Sequence, residues 1–425
     1  MKRHAITSLY RCTAWAMLLC MLALLPLTAT GRETYNFNSQ WTVDYTTIDS
    51  LKHLGQRQVT LPHAWNEDET FRLSTFEMST GVVWYRKEFQ LPDVTGKRVF
   101  IEFEGARQSA EVLLNGQRLG LHENGVMAFG FELTPHLRKG KNLIEVCTDN
   151  RLDYAEAATG TRYQWNVSAF NINYGGQPKN VWLHITDAVY QTLPLLSSLG
   201  TTGTYVCGCD YDVKGRKATV HVESEVKNDT RQSVSTALDV VIEDMEGREV
   251  ARFRGSETQI AAGKTAVLTA EHHVSGLHFW SWGYGYLYDV KTQLITNGKA
   301  TDPVTTKTGF RKTAFKNGMI YLNDRVMMVH GYAQRTSNEW PGVGMSVPAW
   351  LSDYSNNLLV ESGGNVVRWM HTCPWRQDVE SCDRHDEHPD VGLLGGEGGL
   401  CARLSRRGEC HPAQECQDDE HPHSQ

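Results

Sequence analysis

Apolar and polar residues alternate singly along much of the chain as far as about residue 305, and only afterwards does a helical period appear. The run Trp84-Tyr85-Arg86-Lys87-Glu88-Phe89 sets aromatics on alternating positions, as a strand with one face in a core does. Residues 99–103 and 142–146 read as further short strands. Glu111-Val112-Leu113-Leu114 runs into Asn115-Gly116, a strong hairpin signal because both central residues must take φ > 0. Many short strands with Gly and Asn turns over 35–186 predict a β-sandwich or jelly roll. A second all-β region spans about 190–305, where residues 219–226 alternate with period two. Segments 238–242, 266–268 and 288–294 continue it, with turns at Asn228-Asp229 and Glu246-Gly247.

The period then changes. Met319-Ile320-Tyr321-Leu322 and Val326-Met327-Met328-Val329 are extended apolar pieces, residues 350–361 are helical, and Val366-Val367-Arg368-Trp369-Met370 is a second apolar strand. A further helix begins near Cys382-Asp383, so the stretch predicts the opening of a repeating βα pattern. In a closed eight-stranded barrel the polar residues at the C-terminal strand ends face the site, and Arg368 and His371 stand at such an end. Past Arg384 the pattern collapses: a Gly-rich run occupies 392–399, and no period of two or 3.6 follows Leu400. The expectation for 385–425 is an aberrant, disordered tail, read in a shifted frame or from a damaged gene. Its His385, His388, Cys401, Cys410, His411, Cys416, His421 and His423 lack paired metal-ligand spacings, so no metal site is expected.

Composition narrows the function. A chain of 425 residues has room for two to four domains with real cores, and a formal net charge of −7 without a basic run argues against a nucleic-acid surface. Lys2, Arg3 and Arg11, the apolar run 14–25 and the small residues at 28–31 predict a secretory signal over 1–31. No second apolar stretch reaches spanning length, so the expectation is an exported protein, periplasmic or extracellular, without a membrane span. Outside the signal the cysteines are irregularly spaced, and most are expected to be free thiols. The 12 Trp and 16 Tyr suit sugar-stacking platforms, although most are expected in cores.

These motifs resemble glycoside hydrolase family 2, the group of β-galactosidases, β-glucuronidases and β-mannosidases. The resemblance rests on Pro62-His63-Ala64-Trp65-Asn66, on 84–89, on Phe103-Glu104-Gly105-Ala106 and on Tyr174-Gly175-Gly176-Gln177-Pro178-Lys179-Asn180-Val181. It continues through Gly309-Phe310-Arg311, Leu322-Asn323, Gly331, Gly364-Asn365, Val367-Arg368, His371 and Cys382-Asp383. Between them, 277–288 keeps the aromatics of the family's "L-W-x-P-x-x-P-x-L-Y" segment without its prolines. The resemblance implies a mainly β chain: a jelly-roll sandwich over 32–187, an immunoglobulin-like sandwich over 188–306, and one to two βα units of an incomplete (β/α)8 barrel over 307–384.

It further implies a β-galactosidase-like O-glycosyl hydrolase, with a terminal β-linked sugar of a glycan as partner and no cofactor. Arg368 and His371 are then expected to orient the nucleophilic carboxylate and the sugar. Arg335 stands where the family has a sugar-contacting His, which suits an acidic sugar. Both catalytic Glu residues belong to later barrel strands, and neither Asn66-Glu67 nor Asn338-Glu339 matches them, so no catalytic residue is assigned. The chain is therefore expected to be an inactive fragment of an active parent. The alternatives are a non-catalytic carbohydrate-binding or scaffold β-sandwich protein and an interaction module with a metal-binding tail.

Overall fold

A computed structural model describes residues 31–74, 77–162, 172–335, 345–370, 373–384 and 394–396, with Arg335, Met370 and 394–396 described by backbone alone. Single alternation becomes two stacked antiparallel layers, because each strand has one apolar face to hide. In the first sandwich one sheet runs in the order Gln56–Val59, Trp41–Asp44, Val82–Gln90, Lys141–Asp149, Ser109–Leu114, Gln117–His122. The facing sheet runs Glu33–Asn36, Val181–Thr186, Arg98–Phe103, Phe129–Glu132. Trp41, Tyr85, Ile101, Phe103, Leu114 and Phe129 fill the space between them. Asn115 and Gly116 take φ 53° and 79°, giving the tight hairpin that their sequence predicts.

One alternating position breaks the apolar rule. Lys87 lies on the core side of Val82–Gln90, where its ammonium donates to the Phe37 carbonyl at 2.8 Å and sits 3.6 Å over the Phe37 ring. Burial pulls its pKa down to about 8. The stem packs like an apolar side chain while carbonyl and ring replace water around the charge.

The second sandwich sets Thr204–Asp212, Lys217–Asn228 and Thr265–Ser275, joined by Val189–Gln191, against a sheet of Glu249–Arg254, Val234–Glu243, Tyr288–Thr296 and Lys299–Thr308. The period-two run lies inside Lys217–Asn228, with Ala218, Val220, Val222 and Val226 buried and the odd positions at the surface. Buried Asp302 joins this sandwich to the start of the described chain: Arg32 pairs with it at 3.0 Å, and the side-chain amide of Gln191 donates to its carbonyl at 2.6 Å. The short helix α1 (Leu196–Leu199) follows Leu193 and Leu195, which pack on Phe100 of the first sandwich.

After residue 308 comes a meander of Thr313–Lys316, Met319–Leu322 and Arg325–Met327, turned at Asn317-Gly318 and Asn323-Asp324, all four with positive φ. Then the topology becomes parallel. Gly331–Arg335 pairs with Val366–Met370 across helix α2 (Ala349–Glu361), and α3 (Arg376–Arg384) follows. Leu394–Gly396 adds a third parallel strand beside Val366–Arg368. This departs from the patternless tail expected over 385–425, since Leu-Gly-Gly is too short and too small to show a period. The rest of 385–425, the candidate metal ligands among it, lies outside the described residues, as do residues 1–30 of the expected signal over 1–31.

Trp41 is fully buried and its indole N–H donates to the Phe37 carbonyl at 2.9 Å, so Trp41→Ala removes a large core side chain and one bond. The expected loss is about 3–5 kcal/mol from the unfolding transition of the first sandwich. Denaturant titration followed by circular dichroism checks it, and a loss under about 1 kcal/mol contradicts this assignment of the core.

Candidate functional site

The parallel edge brings together two of the residues singled out by sequence. Gly331 has no room for a side chain, since a Cβ there would lie 1.7 Å from the Val366 carbonyl oxygen; its absence lets the two strands close. In the resulting register Ala333 stands opposite Arg368 and Arg335 opposite Met370. Val367 and Trp369 pack with Leu359 of α2 and Cys382 of α3, so Arg368, between them in the alternation, lies on the face turned away from the helices and is exposed. Arg335 ends its strand at the same edge, but its side chain and the whole of His371 lie outside the described residues. The candidate Arg368 is thus placed, Arg335 is placed by backbone, and His371 is not.

The chain that follows Val366–Met370 is fastened to the first sandwich by Trp375 and Arg376, and to helix α2 by Asp378. Trp375 enters a hollow over Gly105, where a Cβ would lie 2.4 Å from the indole Cζ3, and joins Ala64, Met78, Tyr174 and Met345 in a buried cluster. Arg376 pairs with Glu102 and, at 3.2 Å, with Glu104. Asp378 starts α3 by accepting from the Trp375 amide at 3.2 Å and from the Ser352 hydroxyl of α2 at 2.7 Å.

Each of these charges has a partner across the seam. Lys179 is buried with its ammonium 4.4 Å over the Trp375 ring. Burial lowers its pKa to about 8, against the pull of Asp378 and Glu104. Burial would raise the Glu102 carboxyl, but the 2.9 Å bond from His184 and the Arg376 charge more than offset it and hold it at about 2. Glu104 accepts from Asn180 at 2.8 Å and from the Trp182 indole at 2.9 Å. Sequence shows each motif but not the pairing, because the partners are separated by some 270 positions.

A carboxyl that sequence reasoning passed over lies nearby. Glu67 is pushed up to about 7 by burial, while the Ala64 amide at 3.2 Å and the Ser346 hydroxyl pull the other way. It is available in both protonation states near neutral pH. Next to it the imidazole of His63 is driven down to about 4 by burial and meets the Tyr85 hydroxyl at 2.9 Å. An Asn-Glu pair in the first sandwich gave no signal for this, because the shift comes from tertiary burial. Among the described residues no group of three or more His, Cys, Asp or Glu is placed to hold a metal ion. The described cysteines Cys147, Cys373 and Cys382 are free thiols.

Residues 56–186 match the family model described as glycosyl hydrolase 2 galactose-binding domain-like, and residues 207–311 match glycosyl hydrolases family 2. A β-glucuronidase of Formosa agariphila is 33% identical over 389 residues, 88% of this chain and 39% of that protein. A β-galactosidase of Bacteroides ovatus is 27% identical over 83% of this chain and 40% of its own length. Among solved structures, a β-glucuronidase from glycoside hydrolase family 2 superposes with a TM-score of 0.77 at 32% identity, over 87% of this chain and 39% of that one. β-Glucuronidase 2 of Bacteroides uniformis gives 0.69 at 25% identity, over 86% and 42%. The chain therefore spans about 40% of the length of these two curated relatives. Among the described residues no helix is long and apolar enough to cross a membrane.

The seam makes a pH prediction. Glu102 is depressed in the folded state, so its contribution is complete above the ordinary carboxylate pKa and is lost as pH falls toward about 2. Unfolding free energies measured between pH 6 and about 2.5 should drop more steeply for the wild type than for Glu102→Gln, the difference between the two shifting by up to about 3 kcal/mol over that range. Parallel curves would remove Glu102 from the seam. Gly105→Val should expel Trp375 and raise limited proteolysis near 373–384 several-fold, with the first sandwich still folded; an unchanged digest contradicts the fit at Gly105.

Proposed function

The chain belongs to glycosyl hydrolase family 2, and from that premise we propose that it supplies the two β-domains and the opening barrel strands of an exported, exo-acting β-glycosidase. The observation that carries this is the order of parts: two family β-modules run into parallel strand–helix–strand structure whose second strand turns Arg368 away from the helices. In a completed barrel that face is the interior, where a guanidinium offers a fork to a carboxylate. His371, three residues on, reaches the sugar in the same reading.

Retaining cleavage of a β-glycoside uses two carboxyl groups about 5–5.5 Å apart, one as nucleophile and one as acid and base. Two of the carboxylates on the described helices have other work. Asp378 caps α3, and Asp353 pairs with Arg384 at 3.2 Å. Asn338-Glu339 lies outside the described residues. We assign neither catalytic Glu to this polypeptide and read residues 32–425 as lacking hydrolytic activity by themselves. Arg335, a cation at the edge that bears Arg368, favours an acidic terminal sugar over a neutral galactoside. The β-glucuronidases among the relatives support the same preference. The matching parts of the seam, built on Glu102, Lys179, Trp375 and Arg376, hold the strand-end loop in place from the sandwich side.

Purified 32–425 should release no chromophore from 4-nitrophenyl β-glucuronide or β-galactoside above a blank; release above it overturns the inactive reading. In a polypeptide that completes the barrel, Arg335→His should shift the ratio of kcat/KM for glucuronide over galactoside at least tenfold toward galactoside. A ratio unmoved by the substitution removes Arg335 from sugar selection.

A further inference from the structure

The turn at 281–284 of the second sandwich puts more aromatic surface into water than its packing requires. Ser281 and Tyr284 close the turn with two main-chain hydrogen bonds of 2.9 Å each, and Gly283 supplies φ 75°. Trp280 anchors it from below: the ring is 1% exposed and its N–H donates to the Asp383 carbonyl at 3.2 Å. Trp282 is held out at the tip, 43% exposed, and Tyr284 beside it is 40% exposed.

The aromatic surface continues inward as a stack. The His278 and Tyr286 rings lie 4.5 Å apart at 18°, Tyr284 and Tyr286 lie 5.7 Å apart at 28°, and His278 Nδ1 meets the Tyr284 hydroxyl at 2.6 Å. Each ring immobilises the next, so the exposed faces are set before any ligand arrives. A second turn borders the stack: the Met245 amide donates to the Tyr286 hydroxyl. Within it Arg248 fixes Asp244 and Glu246 at 2.8 Å each.

Two exposed flat rings, Tyr284 held in the stack and Trp282 projecting at the tip, with carboxylates and a guanidinium nearby, suit one class of ligand. An apolar helix or an acyl chain would cover the rings and strip water from the charges without replacing their hydrogen bonds. A pyranose ring offers a C–H face to the aromatic face and hydroxyls at its edge for the charged rim. We infer that Trp282 and Tyr284, with the 244–248 turn, form an accessory site for a sugar unit of a polysaccharide, on a different element from the strand edge that bears Arg368. The site holds polymer and performs no chemistry. A single sugar ring makes few contacts there, so its affinity is on the order of millimolar and a polymer carrying many units is the better probe.

Native electrophoresis of the full chain through gels containing arabinogalactan, xyloglucan or glucuronoxylan tests this. The expected result is retardation in at least one gel, reduced at least fivefold by Trp282→Ala and by Tyr284→Ala and largely kept by Trp282→Phe, with thermal midpoints within about 2 °C of wild type. Trp350→Ala, which alters an exposed ring on α2, should leave retardation intact. No retardation in any gel, retardation untouched by both alanine variants, or equal loss with Trp350→Ala overturns the site. Hydrolysis assays bear on the proposed roles of Arg335 and Arg368 and gel retardation on this turn, so either reading can fail without the other.

Discussion

The missing side chain at residue 105 is the constraint from which the arrangement of the parallel strand–helix elements follows. Without it the Trp375 indole enters the first sandwich, and Arg376 and Asp378 come within reach of Glu102 and Ser352 as a consequence of helical spacing. A β-module that encodes no strand end of its own thereby fixes the chain that leaves one. The same few residues close the hollow above and begin a helix below, so packing and capping are settled in one place.

Electrostatics at this seam is possible because the charges are shared among unlike partners. Glu102 has an imidazole and a guanidinium, while Glu104 has an amide and an indole besides the same guanidinium. Lys179 has an aromatic face instead of an acceptor, as Lys87 does in the heart of the sandwich with a carbonyl added. A buried cation over a ring keeps much of its solvation without drawing a second carboxylate into the core.

The sequence made the sandwiches legible because alternation is a local signal: the run at 219–226 has buried even positions and a surface at the odd ones, as its period requires. Asn115-Gly116 was equally legible, its turn being set by two adjacent dihedrals. The strand that holds Arg368 could be read from the apolar run around it, although Arg368 lies in the middle of that strand, between Ala333 and Gly396, and not at its end. The third parallel strand could not, for Leu394-Gly395-Gly396 offers no pattern and pairs only because Val366–Arg368 presents an edge. Nor could the Glu67 environment or the Trp375 hollow, since both arise where residues distant in sequence meet. The burial of Lys87 was not read from the sequence either, since the carbonyl and the ring that make it tolerable come from Phe37 of another segment.

Lys179 gives the seam an internal clock. Because its ammonium loses its proton near pH 8, a substantial share of the side chain is an unprotonated nucleophile under mildly alkaline conditions, yet the closed seam keeps it from solvent. Acylation of that amine requires excursions that part the indole from the sandwich, and because burial itself lowers the pKa, the same excursions return the amine toward its ordinary protonated range, so labelling reports opening and exposure together. A residue that serves packing in the closed state thus records how often that state is left.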